Sequence, residues 1–288
     1  MELKKPLTAG VVAALFAGIL AMSGCSNTGG SGAAGGQSGT INVVGSDTMV
    51  NMAGAWADAY QQANPKVSVT VKGGGSGVGI TALINGTTDV ADSSREMKPE
   101  EITAAKAKNI DPVGTKVARD GISIIVNPAN KVDGLTKDQL GRIYRGEITN
   151  WKDVGGADEP IVLLSRDNSS GTYELFKGKI VGAAKNFAKS AKLLASNQAI
   201  VDEVKNNAAA IGYVGVGYAD KATGIKIVAL DGVKASVAAV KDGSYELSRY
   251  LYMYTNGAPT GAVKAYVDWI LGADGQKIVG DQGFVTLN

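Results

Sequence analysis

From about Thr40 onward, short apolar runs that read as strands alternate with longer stretches patterned as helices. Parallel sheets covered by helices require this alternation, so the chain is expected to be α/β. Ile41 to Val44 reads as a strand ending at Gly45, and Ser46 or Asp47 is placed to cap a helix that Asn64-Pro65 stops. Val67, Val69 and Val71 alternate with polar residues, as a half-buried strand does. A helix is expected after Gly77, a loop beyond Asp89 to Ala91, and a helix with Pro99 in its first turn that reaches Lys108. Gly121 to Val126 is an apolar strand, Thr136-x-x-Gln139 a capping box opening a helix, Ile161 to Leu164 a strand, and Ser170 to Ile180 helical. No internal repeat of fixed period is visible.

The chemistry open to the chain is narrow. Its 288 residues can bury a substantial core in one or two domains. With no histidine and one cysteine, Cys25, it cannot build His/Cys zinc sites, His-based triads or Cys-His nucleophile pairs. No dense Asp cluster suggests a metal, so no catalytic residue, metal or cofactor is assigned. A net charge of +2 excludes the basic surface of a nucleic-acid binder. Glycine, 39 residues, is roughly twice its usual share, which suits a backbone that must approach a ligand closely.

The N-terminus carries processing signals. Lys4 and Lys5 precede an apolar stretch from Leu7 to Met22, and Met22-Ser23-Gly24-Cys25 places small residues before the cysteine. Residues 1–24 read as a signal peptide, too short and too Ala/Gly-rich for a membrane span. Residues 25–39 are charge-free and Gly/Ser-rich, a flexible tether. Cleavage removes Glu2, Lys4 and Lys5, which leaves a net charge of +1.

Four turns carry the functional signal: Gly45-Ser46-Asp47-Thr48-Met49, Gly73-Gly74-Gly75-Ser76-Gly77, Asp92-Ser93-Ser94-Arg95 and Ser165 to Thr172. Each puts hydroxyls, glycine or arginine where a strand ends, and three lead into expected helices. Helix N-termini offer unpaired N–H groups and partial positive charge, and open α/β sheets bind ligands beyond the carboxyl ends of their strands. Taken singly, each turn also reads as an ordinary cap or solvated loop. The glycine run is no Walker A loop, because no Gly-Lys-Ser/Thr ends it. Four such turns together point to an oxyanion, with hydroxyls and backbone N–H groups as donors and an arginine as charged fork.

At these residues the chain resembles the phosphate-binding proteins of high-affinity phosphate ABC importers, within the type II periplasmic-binding-protein superfamily. Gly134 to Leu140, Gly146-Glu147-Ile148-Thr149-Asn150-Trp151, Ala210 to Val214, Gly283-Phe284-Val285 and Arg166-x-x-x-Ser170-Gly171-Thr172 carry the resemblance, which covers nearly all of the mature chain. It implies a two-domain clamshell with two crossover connections near Asp120-Gly121-Ile122 and Arg249 to Tyr252. Domain I would hold 40–118 plus 248–288 and domain II 119–247. Thr48 would donate its hydroxyl and Met49 its N–H. Ser76, Arg166, Ser170, Gly171 and Thr172 would complete the phosphate site. Where the family's best-known form has an Asp that accepts the proton on phosphate, Ser94 stands, followed by Arg95. Both are carried as candidate ligands, and Asp47, Asp92 and Asp167 as alternative acceptors.

Met22-Ser23-Gly24-Cys25 resembles a lipobox, which implies cleavage before Cys25 and a lipid anchor on its side chain. An extracytoplasmic location and a monomer are expected, and the family resemblance implies a membrane permease as partner. Tyr144, Trp151 and Lys152 are candidates for docking that permease, although structural packing of Ile148 and Trp151 explains the segment better. Other readings are a surface sensor or adhesion lipoprotein, a binder of another tetrahedral oxyanion, and a phosphoester hydrolase using Ser170. The last lacks a histidine base.

Overall fold

The computed structural model describes residues 38–287. The expected signal peptide, Cys25 and nearly all of the tether lie outside the described residues. No helix among the described residues is long and apolar enough to cross a membrane.

The first strands are β1 (Gly39–Gly45), β2 (Val67–Lys72) and β3 (Val90–Ser93), alternating with helices α1 (Val50–Ala63), α2 (Ser76–Ile84) and α3 (Pro99–Ala107). β4 (Pro112–Val126) then runs 15 residues, far longer than the Gly121–Val126 strand expected. Beyond it come β5 (Gly134–Leu135), α4 (Lys137–Tyr144), β6 (Val162–Arg166), α5 (Gly171–Phe176), β7 (Lys192–Leu194), α6 (Asn197–Asn206) and β8 (Ala210–Gly215). The chain closes with α7 (Val216–Lys221), β9 (Lys226–Leu230), α8 (Val237–Asp242), β10 (Ser248–Asn256), α9 (Gly261–Leu271) and α10 (Ala273–Asp281).

Several local readings hold. Pro99 opens α3, where its missing N–H costs nothing. Thr136 accepts the Gln139 N–H while Gln139 accepts the Thr136 N–H, so the capping box is complete. The helix expected from Ser170 to Ile180 is α5 followed by a π-helical turn, Lys177–Gly182.

Strand order is β2-β1-β3-β10-β4-β8-β6-β7, with β9 beside β4 and β5. β1 pairs in parallel with β2 and β3, and β6 with β7 and β8. The expectation of parallel sheets needs correction at the centre, where β10 is antiparallel to β3 and β4, and β4 to β8. The reason is topological: β4 leaves one half of the molecule and β10 returns to it, so they run in opposite directions. Their register sets Arg249 opposite Asp120.

Separate cores flank this pair. Trp56, Tyr60, Met253, Tyr266 and Ile270 pack on one side, and Ile124, Leu140, Tyr144, Trp151, Phe176 and Tyr213 on the other. Burying each such side chain contributes about 1.5–3 kcal/mol, and Trp56 and Trp151 also satisfy their indole N–H on the carbonyls of Gly275 and Ala209. Tyr144 and Trp151 are therefore core residues, at 0% and 1% exposure, and unavailable for docking. Lys152 is exposed and pairs with Asp158.

Candidate functional site

The four turns converge. At the end of β1, Gly45 has φ +148°, and a Cβ there would lie 2.1 Å from the Asp92 carbonyl oxygen. This close approach lets the chain turn and bury Thr48, whose Oγ1 is 2.9 Å from Thr172 Oγ1. Gly74 and Gly75, both at positive φ, lead into Ser76 at the start of α2. Ser76 Oγ accepts the Ser94 N–H at 3.0 Å and lies 3.3 Å from Ser94 Oγ. Both serines face Gly171, where an added Cβ would fall 2.4 Å from Ser76 Oγ and 2.7 Å from Ser94 Oγ. Thr48, Ser76, Ser94, Gly171 and Thr172 are thus one buried cluster spanning both halves.

Arg166, at the end of β6, is 1% exposed. Its Nε donates to the Leu194 carbonyl and Nη2 to that of Ala195, at 3.3 and 2.8 Å. Nη1 lies 3.3 Å from Asp47 Oδ2, in charge contact but outside hydrogen-bond geometry, so its N–H groups have no acceptor. Burial draws the guanidinium pKa below its usual value, against the pull of Asp47. A buried charged donor left unpaired is costly, which makes Nη1 a candidate contact for an anion. Ser170 is the N-cap of α5, and its Oγ accepts the Tyr173 N–H, so part of its capacity is spent locally.

Three assignments need correction. Neither Ser46 nor Asp47 caps α1, whose cap residue is Met49 with no side-chain cap. Asp47 instead reaches α6, where Oδ2 accepts the N–H and the side-chain amide of Asn197 at 2.8 and 2.7 Å. The Met49 N–H is spent on the Ser46 carbonyl at 3.0 Å, because the turn closes on itself before the helix begins. Arg95 is paired elsewhere: Nη2 and Nη1 bind Glu101 Oε1 and Oε2 at 2.6 and 2.7 Å, while its Nε is buried without a hydrogen-bond partner. Glu101 also accepts the Lys98 N–H, so Arg95 serves the start of α3. Asp167 is a loop carboxylate accepting from the Ser169 N–H and hydroxyl.

The sequence reading missed Asn197, Asp120 and Arg249 as neighbours of the site. For the last two there was a signal, since a charge inside an otherwise apolar strand must have a partner. Arg249 Nε and Nη2 donate to Asp120 Oδ2 at 3.0 and 2.7 Å, and Nη2 also reaches Thr172 Oγ1 at 2.9 Å. A cavity of about 350 Å³ lined by Asn51, Gln198, Lys205, Tyr218 and Lys221 contains none of the clustered hydroxyls.

An α/β chain with separate cores on either side of two antiparallel crossing strands, and with polar turns meeting at the crossing, defines a two-lobed binding protein of the type II periplasmic class. A family profile for the PBP superfamily domain matches residues 30–274. The phosphate-binding protein PstS of Bacillus subtilis is 34% identical over 255 residues, covering 87% of this chain and 81% of the relative. PstS of Pseudomonas aeruginosa is 32% identical over 278 residues, 88% of this chain and 85% of the relative. A crystal structure from Clostridium perfringens, described as a putative phosphate ABC transporter substrate-binding protein with bound phosphate, has a TM-score of 0.81 at 31% identity and covers 87% of this chain and all of its own. The chain belongs to the PBP superfamily and, within it, to the phosphate-binding proteins of ABC importers.

Proposed function

We propose that this protein binds inorganic phosphate outside the membrane and delivers it to an ABC permease, performing no chemistry on it. The observation that carries the reading is the cluster of buried hydroxyls at Thr48, Ser76, Ser94 and Thr172, together with Arg166 Nη1, which is buried without a hydrogen-bond acceptor. Hydroxyls donate without adding net charge, and the guanidinium fork supplies a charge-assisted contact. Relatives named phosphate-binding protein across most of their length supply the ligand class.

In this reading the protein is a monomer, anchored through a lipid on Cys25 after cleavage behind Met22-Ser23-Gly24. Residues 40–118 with 248–288 form one lobe and 119–247 the other. β4 and β10 make up the hinge.

Calorimetric titration with phosphate, sulfate, arsenate and molybdate tests the assignment. Phosphate is expected to bind most tightly. Removing a buried anion's charged partner costs about 2–5 kcal/mol, so Arg166→Ala should lose about 30- to 3000-fold in affinity. Arg166→Lys should recover part of this, since an ammonium lacks the planar fork. Unchanged phosphate binding in Arg166→Ala would remove this site.

A further inference from the structure

The geometry points to a second guanidinium ligand: we propose that Arg249, held in place by Asp120, presents Nη1 to the bound oxyanion opposite Arg166. The proposal deepens the functional reading above and rests on it. Arg249 comes from β10 and Asp120 from β4, the two strands that cross between the halves. Both are buried, with side-chain exposures of 4% and 0%.

The donors of Arg249 can be followed one by one. A guanidinium has five N–H groups in a rigid plane. Nε and one Nη2 proton go to Asp120 Oδ2. The other Nη2 proton goes to Thr172 Oγ1, with Thr48 Oγ1 at 3.4 Å. Nη1 is buried, and neither of its protons has an acceptor. Thr48 and Thr172 are hydroxyls that the family resemblance implies for the anion, so Arg249 touches the cluster directly.

Asp120 is filled as an acceptor. Oδ2 takes two N–H groups of Arg249, Oδ1 takes the Val216 N–H at 3.0 Å, and the Gly121 N–H also donates to the carboxylate. A Cβ at Gly215 would stand 3.2 Å from Oδ2, so the backbone closes over the carboxylate. It has no capacity for a proton on the ligand and acts as a positioning residue. The Arg249 charge also bears on Arg166, helping to lower its pKa. Two buried guanidiniums that repel each other, each with an Nη1 that has no hydrogen-bond acceptor, Arg166 having only its charge contact with Asp47, are satisfied together by one anion with several oxygens. The ligand class is a doubly charged tetrahedral oxyanion.

Phosphate titration of wild type, Arg249→Lys and the double variant Asp120→Asn/Arg249→Gln tests this, with melting temperatures recorded in the absence of phosphate. The double variant removes both charges at once and strands no buried ion. Its affinity is expected to fall about 30-fold or more, the usual loss for a buried charged contact. Arg249→Lys should fall about 10-fold or more, because one ammonium cannot bind Asp120 and also present a fork. Guanidinium signals that vanish in Arg249→Lys should shift when phosphate is added to ¹⁵N-labelled wild type. If wild type binds phosphate but both variants match it and those signals stay put, the Arg249 assignment falls and the functional reading survives. If wild type takes up no phosphate, both fall.

Discussion

At the scale of single residues, buried and half-buried carboxylates are distinguished by their partners. Asp47 and Asp120 lie against arginines and N–H donors, whereas Asp92 is 2% exposed and its Oδ1 has no partner. Burial pushes the Asp92 pKa up from 3.8 to about 8. The folded protein therefore keeps this proton up to about pH 8, while the unfolded chain releases it near pH 4. Unfolding in that window releases a proton, so this residue's contribution to stability is full below about pH 4 and is lost as pH rises toward 8. Asp92→Asn keeps the shape and cannot ionise. Urea denaturation at pH 5, 6, 7 and 8 should show the variant gaining stability relative to wild type as pH rises, and parallel pH profiles would refute the assignment. Arginines are sorted in the same way. Arg95 was a fair candidate from its place after Ser94, but Glu101, six residues on, claims it.

At the scale of elements, the site depends on how closely helix starts approach strand ends. Gly171 is the first residue of α5, and the space its missing Cβ leaves is filled by the hydroxyls of Ser76 and Ser94. The position suits alanine as a helical residue, so the penalty for Gly171→Ala comes from across the cleft. Overpacking of this kind costs about 1–3 kcal/mol, or about 5- to 150-fold in phosphate affinity. The melting temperature without phosphate should change little, because parting the halves relieves the overlap. Equal affinity in wild type and Gly171→Ala, measured by calorimetry, would show that the two sides do not meet around the ligand. Elements fixed by neighbours in sequence were legible beforehand, such as the Thr136–Gln139 capping box and the Pro99 start of α3. Asp47 looked like a cap by the same rule, and it failed because a helix from the other half offered its carboxylate better donors.

At the scale of the whole molecule, the halves are held together by polar contacts near the cluster. The Gly77 N–H donates to the Ser169 carbonyl at 2.9 Å, and the Ser169 hydroxyl oxygen lies 2.8 Å from the Gly74 carbonyl, sharing its one proton between that carbonyl and Asp167. The Tyr218 hydroxyl donates to the Asp47 carbonyl at 2.9 Å, and Lys98 pairs with Glu174 at 3.0 Å. A ligand this enclosed needs a way in, and two connecting strands make hinge opening the natural route. Partly exposed ion pairs such as Lys98–Glu174 contribute about 0–1 kcal/mol, so the closed form depends on its ligand more than on such contacts. Phosphate is accordingly expected to compact the protein and to raise its melting temperature by mass action. Small-angle scattering with and without saturating phosphate measures this directly, and superimposable profiles would argue against closure.

The sequence by itself determined the α/β alternation and the polar turns at strand ends, and its family resemblance singled out most of the hydroxyl cluster. The first two follow from local preference: periodicity, capping and the chain reversal that Gly74 and Gly75 permit at positive φ. Only the tertiary structure decided which charges belong to the site. Asp120 and Arg249 are 129 residues apart, and Asp47 and Asn197 150 apart. A buried ion takes whatever partner the fold brings within about 3 Å, since leaving it unpaired costs several kcal/mol. That choice depends on strand register and helix approach, which sequence spacing does not carry, and it put Arg249 beside the hydroxyls and Arg95 on Glu101.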